Sequence, residues 1–337
     1  MDDGMPANGS ENWGLIGSEW AVAMLQAHIQ NQSLRHAYLF TGPPGIGRRT
    51  LALRLAQALC CTSLLGPAQP CFQCRTCRQV QTMQYPDLAV VQAEQVGGVL
   101  KVEPVRELRQ TLALKPYQAQ DRVAILLRFQ EANSAAANAL LKTLEEAPAH
   151  AVLVLTADSS ELLLPTIVSR CEILRLRPSS TDAVAQALQQ RGIDQATARL
   201  LAHLSGGRPG EALRLLQQPQ ALEFRRTRLD DLRKLLAASR VEKFAYAEKL
   251  AREKELFRRV LLLWLSYWRD VLLAASGSSA PLLNVDRSGE LQAMASRLGL
   301  PSARKLVQQT ERAVEQLDRN VNPRLLAEVL LMDWPHE

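Results

Sequence analysis

The chain has 337 residues, 47% of them hydrophobic, too many for one ordinary domain and enough for two or three with real cores. The net charge of +6 is a weak signal for an acidic partner such as DNA. No apolar run approaches the roughly 20 residues of a membrane span, and the acidic, polar start lacks the basic and apolar parts of a secretory signal, so a cytoplasmic protein is expected.

Six cysteines without a signal point to reduced thiols or a metal site, not disulfides. Residues 1–12 read as a disordered tail. Residues 13–30 give a lead-in and a helix, with Trp20, Met24 and Leu25 on its apolar side. Ala37-Tyr38-Leu39-Phe40 is an expected first strand. It feeds into Gly42-Pro43-Pro44-Gly45-Ile46-Gly47-Arg48-Arg49-Thr50, which opens a helical run over 51–59. Strand, glycine-rich turn and helix is the setting of a phosphate-binding loop. Glycines let backbone N–H groups turn onto phosphate oxygens, and the helix N-terminus adds partial positive charge. A working loop needs Lys after the last Gly, then Ser or Thr for Mg²⁺. Arg48 and Arg49 occupy those places, and Thr50 comes one residue late, about 100° further round the helix. Gly42, Gly45, Gly47, Arg48 and Thr50 therefore form a degenerate loop with weak or no expected nucleotide binding.

Cys71-Phe72-Gln73-Cys74-Arg75-Thr76-Cys77 places three thiols at two-residue spacings, with Cys60 and Cys61 just upstream. Three thiolates plus one more complete the tetrahedral sulfur shell of a structural zinc. Cys61 is the expected fourth ligand beside Cys71, Cys74 and Cys77, leaving Cys60 as a buried helix residue; Cys60 is the alternative. An iron–sulfur cluster is the competing use of such a run. The ferredoxin pattern would continue with Cys and Pro where Gln81 and Thr82 stand.

Leu88-Ala89-Val90-Val91 is the second expected strand. A helix begins near Pro104, which suits a first turn, with Val105, Leu108 and Leu112 on one side. Residues 123–127, 152–155 and 173–176 give three more strands, and a helix over 135–146 stops before Pro148. Short apolar strands alternating with helices indicate a parallel sheet covered on both faces. An ATPase of this kind needs an Asp ending the third strand to hold Mg²⁺ and a Glu shortly after it. Leu127 and Gln130 stand there, and the adjacent Glu131 should point elsewhere. The joint loss of Lys, hydroxyl, Asp and Glu argues strongly against hydrolysis, because metal and water positioning carry phosphoryl transfer. A sheet that never bound nucleotide is the alternative, and the three retained glycines speak mildly against it. Arg170, in Pro165-Thr166-Ile167-Val168-Ser169-Arg170-Cys171, is by itself a surface charge, and Cys171 a strand-entry thiol, not a fifth metal ligand.

After Pro178 the strand signals stop. Residues 181–191, 195–204 and 210–217 read as short helices of a small helical domain. Beyond about Val241, Leu256, Val260, Leu261, Trp264, Trp268 and Val271 recur at helical spacing, which indicates core packing. A loop with Gly277-Ser278-Ser279 precedes two more helices. The basic groups at 225–228 and 233–234 read as a solvated helix face, with DNA contact the alternative.

Four stretches resemble one family closely: His36-Ala37-Tyr38-Leu39-Phe40-Thr41-Gly42, the cysteine cluster inserted after the loop's helix, Ala135-Ala136-Ala137-Asn138-Ala139-Leu140-Leu141-Lys142-Thr143-Leu144-Glu145-Glu146, and Leu163-Leu164 leading into the Ser169-Arg170-Cys171 motif. The family is the delta-prime subunits of the bacterial DNA polymerase III clamp loader, which are AAA+ proteins. The resemblance spans residues 13–177, and the helical remainder fits in outline. It implies an α/β AAA+ P-loop domain at 13–178 with a parallel five-stranded sheet and a zinc module at about 60–80. An all-α lid at 179–240 and an all-α collar for oligomerisation at 241–337 would follow. It further implies a heteropentamer with gamma/tau and delta subunits that opens the sliding clamp and sets it on primed DNA. Delta-prime would be the non-hydrolysing stator, lending Arg170 in trans as an arginine finger to a neighbour's ATP site. Thr156 takes the sensor place ending the fourth strand. Gly210 falls where an active lid would offer a nucleotide-sensing Arg, with Arg208 nearby but out of register. The competing functions are a motor ATPase of the gamma/tau type, which needs the missing Lys and Asp, and a zinc-dependent nucleic-acid-binding module unrelated to a loader.

Overall fold

The computed structural model describes residues 12–335. The expected N-terminal tail, Asn12 excepted, lies outside the described residues. These divide into two compact units, one of residues 12–187 with Arg208–Glu211 and the other of residues 188–207 with 212–335.

The first unit runs α1 (Glu19–Gln30), β1 (Ala37–Thr41), α2 (Arg48–Cys60), α3 (Arg75–Gln81), β2 (Leu88–Val91), α4 (Val102–Ala113), β3 (Arg122–Leu126), α5 (Ser134–Glu145), β4 (Ala151–Ala157), α6 (Pro165–Val168), β5 (Glu172–Arg175) and α7 (Thr181–Gln190). The strands form one parallel sheet in the order β2-β3-β4-β1-β5. This is the AAA+ P-loop architecture expected from the sequence. β1 lies between β4 and β5, so the loop leaving its C-terminal end emerges where the strand order reverses, the usual ligand position in an open α/β sheet.

The apolar strand runs have a direct cause. β1, β3 and β4 are buried along their whole length. Tyr38, Phe40, Val123, Ile125, Val152 and Val154 join a core that also takes residues of α1 and α2. Their neighbours Leu39, Ala124, Leu126, Leu153 and Leu155 join a second core with residues of α4 and α5. Alternate side chains thus feed opposite faces, and both faces are apolar except at the strand ends, where Thr41, Arg122 and Thr156 are buried. One expectation is corrected. Trp20 is 49% exposed, and α1 turns Ala21, Val22 and Leu25 inward. Trp13, ahead of the helix, is fully buried in the same core and donates its indole N–H to Ala68 O at 3.0 Å.

The remaining helices are α8 (Gln195–Leu204), α9 (Pro209–Gln217), α10 (Pro219–Ala237), α11 (Arg240–Leu250), α12 (Lys254–Ala275), α13 (Ser288–Asp318) and α14 (Pro323–Met332). In the second unit one core gathers Leu229, Leu232 and Leu236 of α10 with Val260, Trp264 and Trp268 of α12, Leu306 of α13 and Leu331 of α14. This core begins at α10, ahead of Val241. The tryptophans are core residues: Trp334 meets Trp264 and Trp268 edge-on, at ring separations of 4.9 and 5.6 Å. α13 breaks at Gly299, whose φ of 68° is left-handed, just before Pro301, which has no N–H to continue the ladder. Two of the basic groups of α10 have close protein partners. Arg225 holds Asp286 at 2.7 Å, and Arg228 holds Asp231 at 2.9 Å. No helix of the described residues is long and apolar enough to cross a membrane.

Candidate functional site

The loop after β1 keeps the backbone of a phosphate cradle. Gly42, Gly45 and Gly47 take φ of 146°, 81° and 107°, values L side chains rarely adopt. Its chemistry is different. Arg48, at the lysine position, turns its Nη2 onto Asp158 Oδ1 at 2.6 Å, with its side chain 10% exposed. The carbonyl of Asp158, one residue past β4, accepts Gly42 N at 3.2 Å. Arg48 therefore ties the loop to the end of β4, and its Nη1 is buried without a partner. Thr50 and Arg49 are exposed.

The segment Arg208–Glu211 lies against the same loop. Gly210 N donates to Gly45 O at 2.8 Å, and Arg208 Nη1 donates to Pro44 O at 3.2 Å. A Cβ on Gly210 would stand 2.8 Å from Gly45 O, and one on Gly45 would stand 2.9 Å from Glu211 Cβ. The contact leaves no room for a Cβ at 210 without a shift.

After β3, Leu127 is 2% exposed and belongs to the sheet core, so the place of the metal-binding Asp is apolar. Gln130 Oε1 is buried without a partner. Glu131 points away as expected, its Oε1 accepting from Arg128 Nε and Gly97 N, both at 2.9 Å. Thr156 is buried, and its Oγ1 accepts Arg128 N at 2.9 Å, joining β4 to the turn after β3.

The cysteines come together at the end of α2. Cys61 follows the last residue of that helix, and Cys74 caps α3, accepting Cys77 N on its sulfur at 3.4 Å. The sulfurs of Cys61, Cys71, Cys74 and Cys77 all lie within 4.8 Å of one another and could hold one metal ion. Backbone N–H groups of Ser63, Cys71 and Cys74 also donate to these sulfurs. Burial pushes the Cys74 thiol up, but donation from Cys77 N and from Thr62 outweighs it and brings the thiol to about 6. Cys60 stands apart in the sheet core, where burial, with the charges of Asp87 and Asp121, pushes its thiol up to about 12. Cys171 is likewise raised to about 12 by burial and lies outside the cluster. Two buried α2 residues, invisible to motif reading, anchor the module. Gln57 Nε2 donates to Cys77 O at 2.8 Å, and Arg54 holds Gln57 and Gln81 while stacking 4.5 Å over Phe72.

Arg170 follows α6. Its Nη2 donates to Glu145 Oε1 at 2.6 Å and its Nη1 to Thr166 O at 2.8 Å. Arg48 and Arg170 thus each have a carboxylate partner that sequence reasoning missed, Asp158 and Glu145. Those pairs lie 110 and 25 residues apart, and no local signal announces them.

Comparison with known proteins fits this architecture. The family description "DNA polymerase III, delta subunit" matches residues 17–180, and "DNA polymerase III, delta subunit, C terminal" matches residues 219–336. The delta-prime subunit of DNA polymerase III from Bacillus subtilis is 28% identical over 315 residues, 92% of this chain and 94% of that protein. The chain belongs to the DNA polymerase III delta-prime family. The delta-prime subunit of Pseudomonas aeruginosa is 39% identical over 186 residues, 53% of this chain and 55% of that one. A solved structure of a DNA polymerase III gamma subunit-related protein from Thermotoga maritima superposes with a TM-score of 0.42 at 18% identity, over 92% of this chain and 97% of that one.

Proposed function

We propose that this delta-prime family member is the non-hydrolysing stator of a clamp loader, a heteropentamer with gamma/tau and delta subunits that sets the sliding clamp on primed DNA. The observation that carries this is the loop itself. The cation that should reach a phosphate is committed to Asp158 at 2.6 Å, and Gly210 sits against Gly45. Lys, hydroxyl, Asp and Glu are replaced by Arg48, Arg49, Leu127 and Gln130. Without a group to ligate Mg²⁺ or orient water, the in-line transfer has no support.

What the chain contributes instead is Arg170, an always-charged planar fork suited to phosphate oxygens. In trans it would stabilise charge developing on the phosphoryl group transferred in a neighbour's site, an effect worth roughly 10³-fold or more where such fingers act. Thr156 holds the sensor position structurally, through Arg128. The ATPase-like domain would be residues 13–178, followed by a lid and then a collar, expected at 241–337 but sharing its core with α10, that holds the chain in the complex.

The cysteine module fits zinc. Four sulfurs about 2.3 Å from a tetrahedral Zn²⁺ stand about 3.8 Å apart. Here Cys61 lies 3.6 Å from Cys71 and 4.0 Å from Cys74. Cys61, Cys71, Cys74 and Cys77 would hold the ion in a closed, structural site.

The decisive test is a reconstituted loader in which only this subunit is changed. With Arg170→Ala the complex should assemble normally, lose part of its DNA-stimulated ATPase and load clamps much more slowly. Unchanged loading would return Arg170 to the status of a surface charge. ATP turnover by the purified chain alone would refute the stator assignment.

A further inference from the structure

Arg170 is not a free side chain. Glu145, the last residue of α5, accepts from its Nη2 at 2.6 Å, and the carbonyl of Thr166 in α6 accepts from its Nη1 at 2.8 Å. The two partners come from different helices, so they fix the plane of the guanidinium as well as its position. The pair lies at the surface, with side chains 36% and 50% exposed. Of the five N–H groups of a guanidinium, these contacts occupy two. The other three have no partner among the described residues.

We propose that Glu145 is a positioning residue for Arg170, holding the guanidinium so that its three remaining N–H groups are presented, already ordered, to the terminal phosphate of a nucleotide bound by a second subunit. This rests on the arginine-finger function proposed above. Two effects of Glu145 oppose each other. Its charge partly neutralises the guanidinium, which weakens attraction to phosphate. Its hydrogen bond removes rotamer freedom that would otherwise be lost on the way to the transition state. At a half-exposed site the charge effect is screened by water and salt. The geometric effect is not, so the net action of Glu145 is to accelerate. Ordering one long side chain corresponds to a change of about 3- to 10-fold in rate.

The experiment uses the reconstituted loader with this subunit as wild type, Glu145→Ala, Glu145→Gln, Arg170→Ala and the double variant. The quantity read is the finger-dependent part of the DNA-stimulated ATPase, the wild-type rate less the Arg170→Ala rate. Glu145→Ala should lower that part about 3- to 10-fold in kcat and leave KM for ATP unchanged, because ground-state phosphates sit in the neighbour's own loop. Glu145→Gln, which keeps an acceptor oxygen, should retain most of it. In the Arg170→Ala background Glu145→Ala should do nothing further. A loss that persists in that background would make Glu145 merely structural. An unchanged or increased kcat would overturn the positioning role while leaving the finger intact. If Arg170→Ala itself is silent, the finger assignment fails, and the Glu145 role with it.

Discussion

Replacing Cys74 with Ser tests the metal module most directly. Cys74 supplies one of four sulfurs gathered within 4.8 Å, and its own sulfur caps α3 by accepting Cys77 N at 3.4 Å. Ser at 74 removes a thiolate ligand but keeps a side-chain acceptor at the start of the seven-residue helix, so the substitution isolates the loss of the metal from the loss of the cap. Structural zinc contributes about 10–16 kcal/mol to folding in isolated finger peptides. The segment between Cys61 and Gln81 buries few large apolar side chains of its own, chiefly Phe72 and Val80, so it has little else to hold it. Metal analysis of the dialysed protein should give one zinc per wild-type chain and nearly none for Cys74→Ser. Amide exchange should accelerate through residues 61–81 while β1, β3 and β4 stay protected, because their core is completed by α1, α2, α4 and α5. Cys60→Ser is the control. It should keep the metal and cost about 1–3 kcal/mol for a hydroxyl placed in an apolar core. A protein that keeps zinc as Cys61→Ser and loses it as Cys60→Ser would refute the ligand set.

Arg48→Lys should not confer ATPase activity, since it restores one of four missing groups and frees Asp158 from its partner; measurable turnover by that single variant would show the loop to be far closer to function than its geometry implies. Gly210→Ala should destabilise the first unit by about 1–3 kcal/mol through overpacking against Gly45 O at 2.8 Å, read by chemical denaturation, and an unshifted midpoint would mean the contact is not made. Asp87, fully buried, accepts N–H from Tyr117, Gln118 and Ala119 and pairs with Arg122; burial pushes its carboxyl up, but these donors outweigh it and hold it below the ordinary range. A depressed folded pKa contributes stability that is complete above about pH 4 and is lost as pH falls through the folded value. Asp87→Asn should flatten that acid limb and cost about 3–5 kcal/mol at neutral pH, because Arg122 is left buried and uncompensated; an acid limb as steep as wild type would assign it to other carboxylates.

Some of this molecule is legible in its sequence for local physical reasons. Each strand lies within about two residues of its expected place, since burial of both faces forces an unbroken apolar run. The cysteines that gather, and could hold a metal ion, are expected from their spacing, with Cys61 preferred to Cys60, as a knuckle needs its sulfurs close along the chain. What escaped was set by tertiary contact. Trp20 is a large apolar residue yet exposed, while Ala21, Val22 and Leu25 of the same helix face a core that Trp13 joins from outside the helix. The leucines of α10 join the C-terminal core without any composition break to announce it. The partners Asp158 and Glu145 are ordinary acidic residues until the fold brings an arginine to each.

The glycines of the loop show why a retained motif is weak testimony about a ligand. Read in sequence, Gly42, Gly45 and Gly47 speak for a nucleotide, because a phosphate needs bare backbone. The structure supplies a different need for two of them. A Cβ on Gly42 would lie 2.6 Å from Leu176 O, and one on Gly45 would lie 2.9 Å from Glu211 Cβ. Both would have to stay glycine if no nucleotide ever entered. Gly47 has open space around its missing Cβ, so only its φ of 107° asks for glycine. The cradle survives as a packing surface for the chain's own segment at 208–211, and its arginine is committed to Asp158. A loop so used can lose every group that handles magnesium and water without losing its shape. That is the combination the proposed stator role calls for.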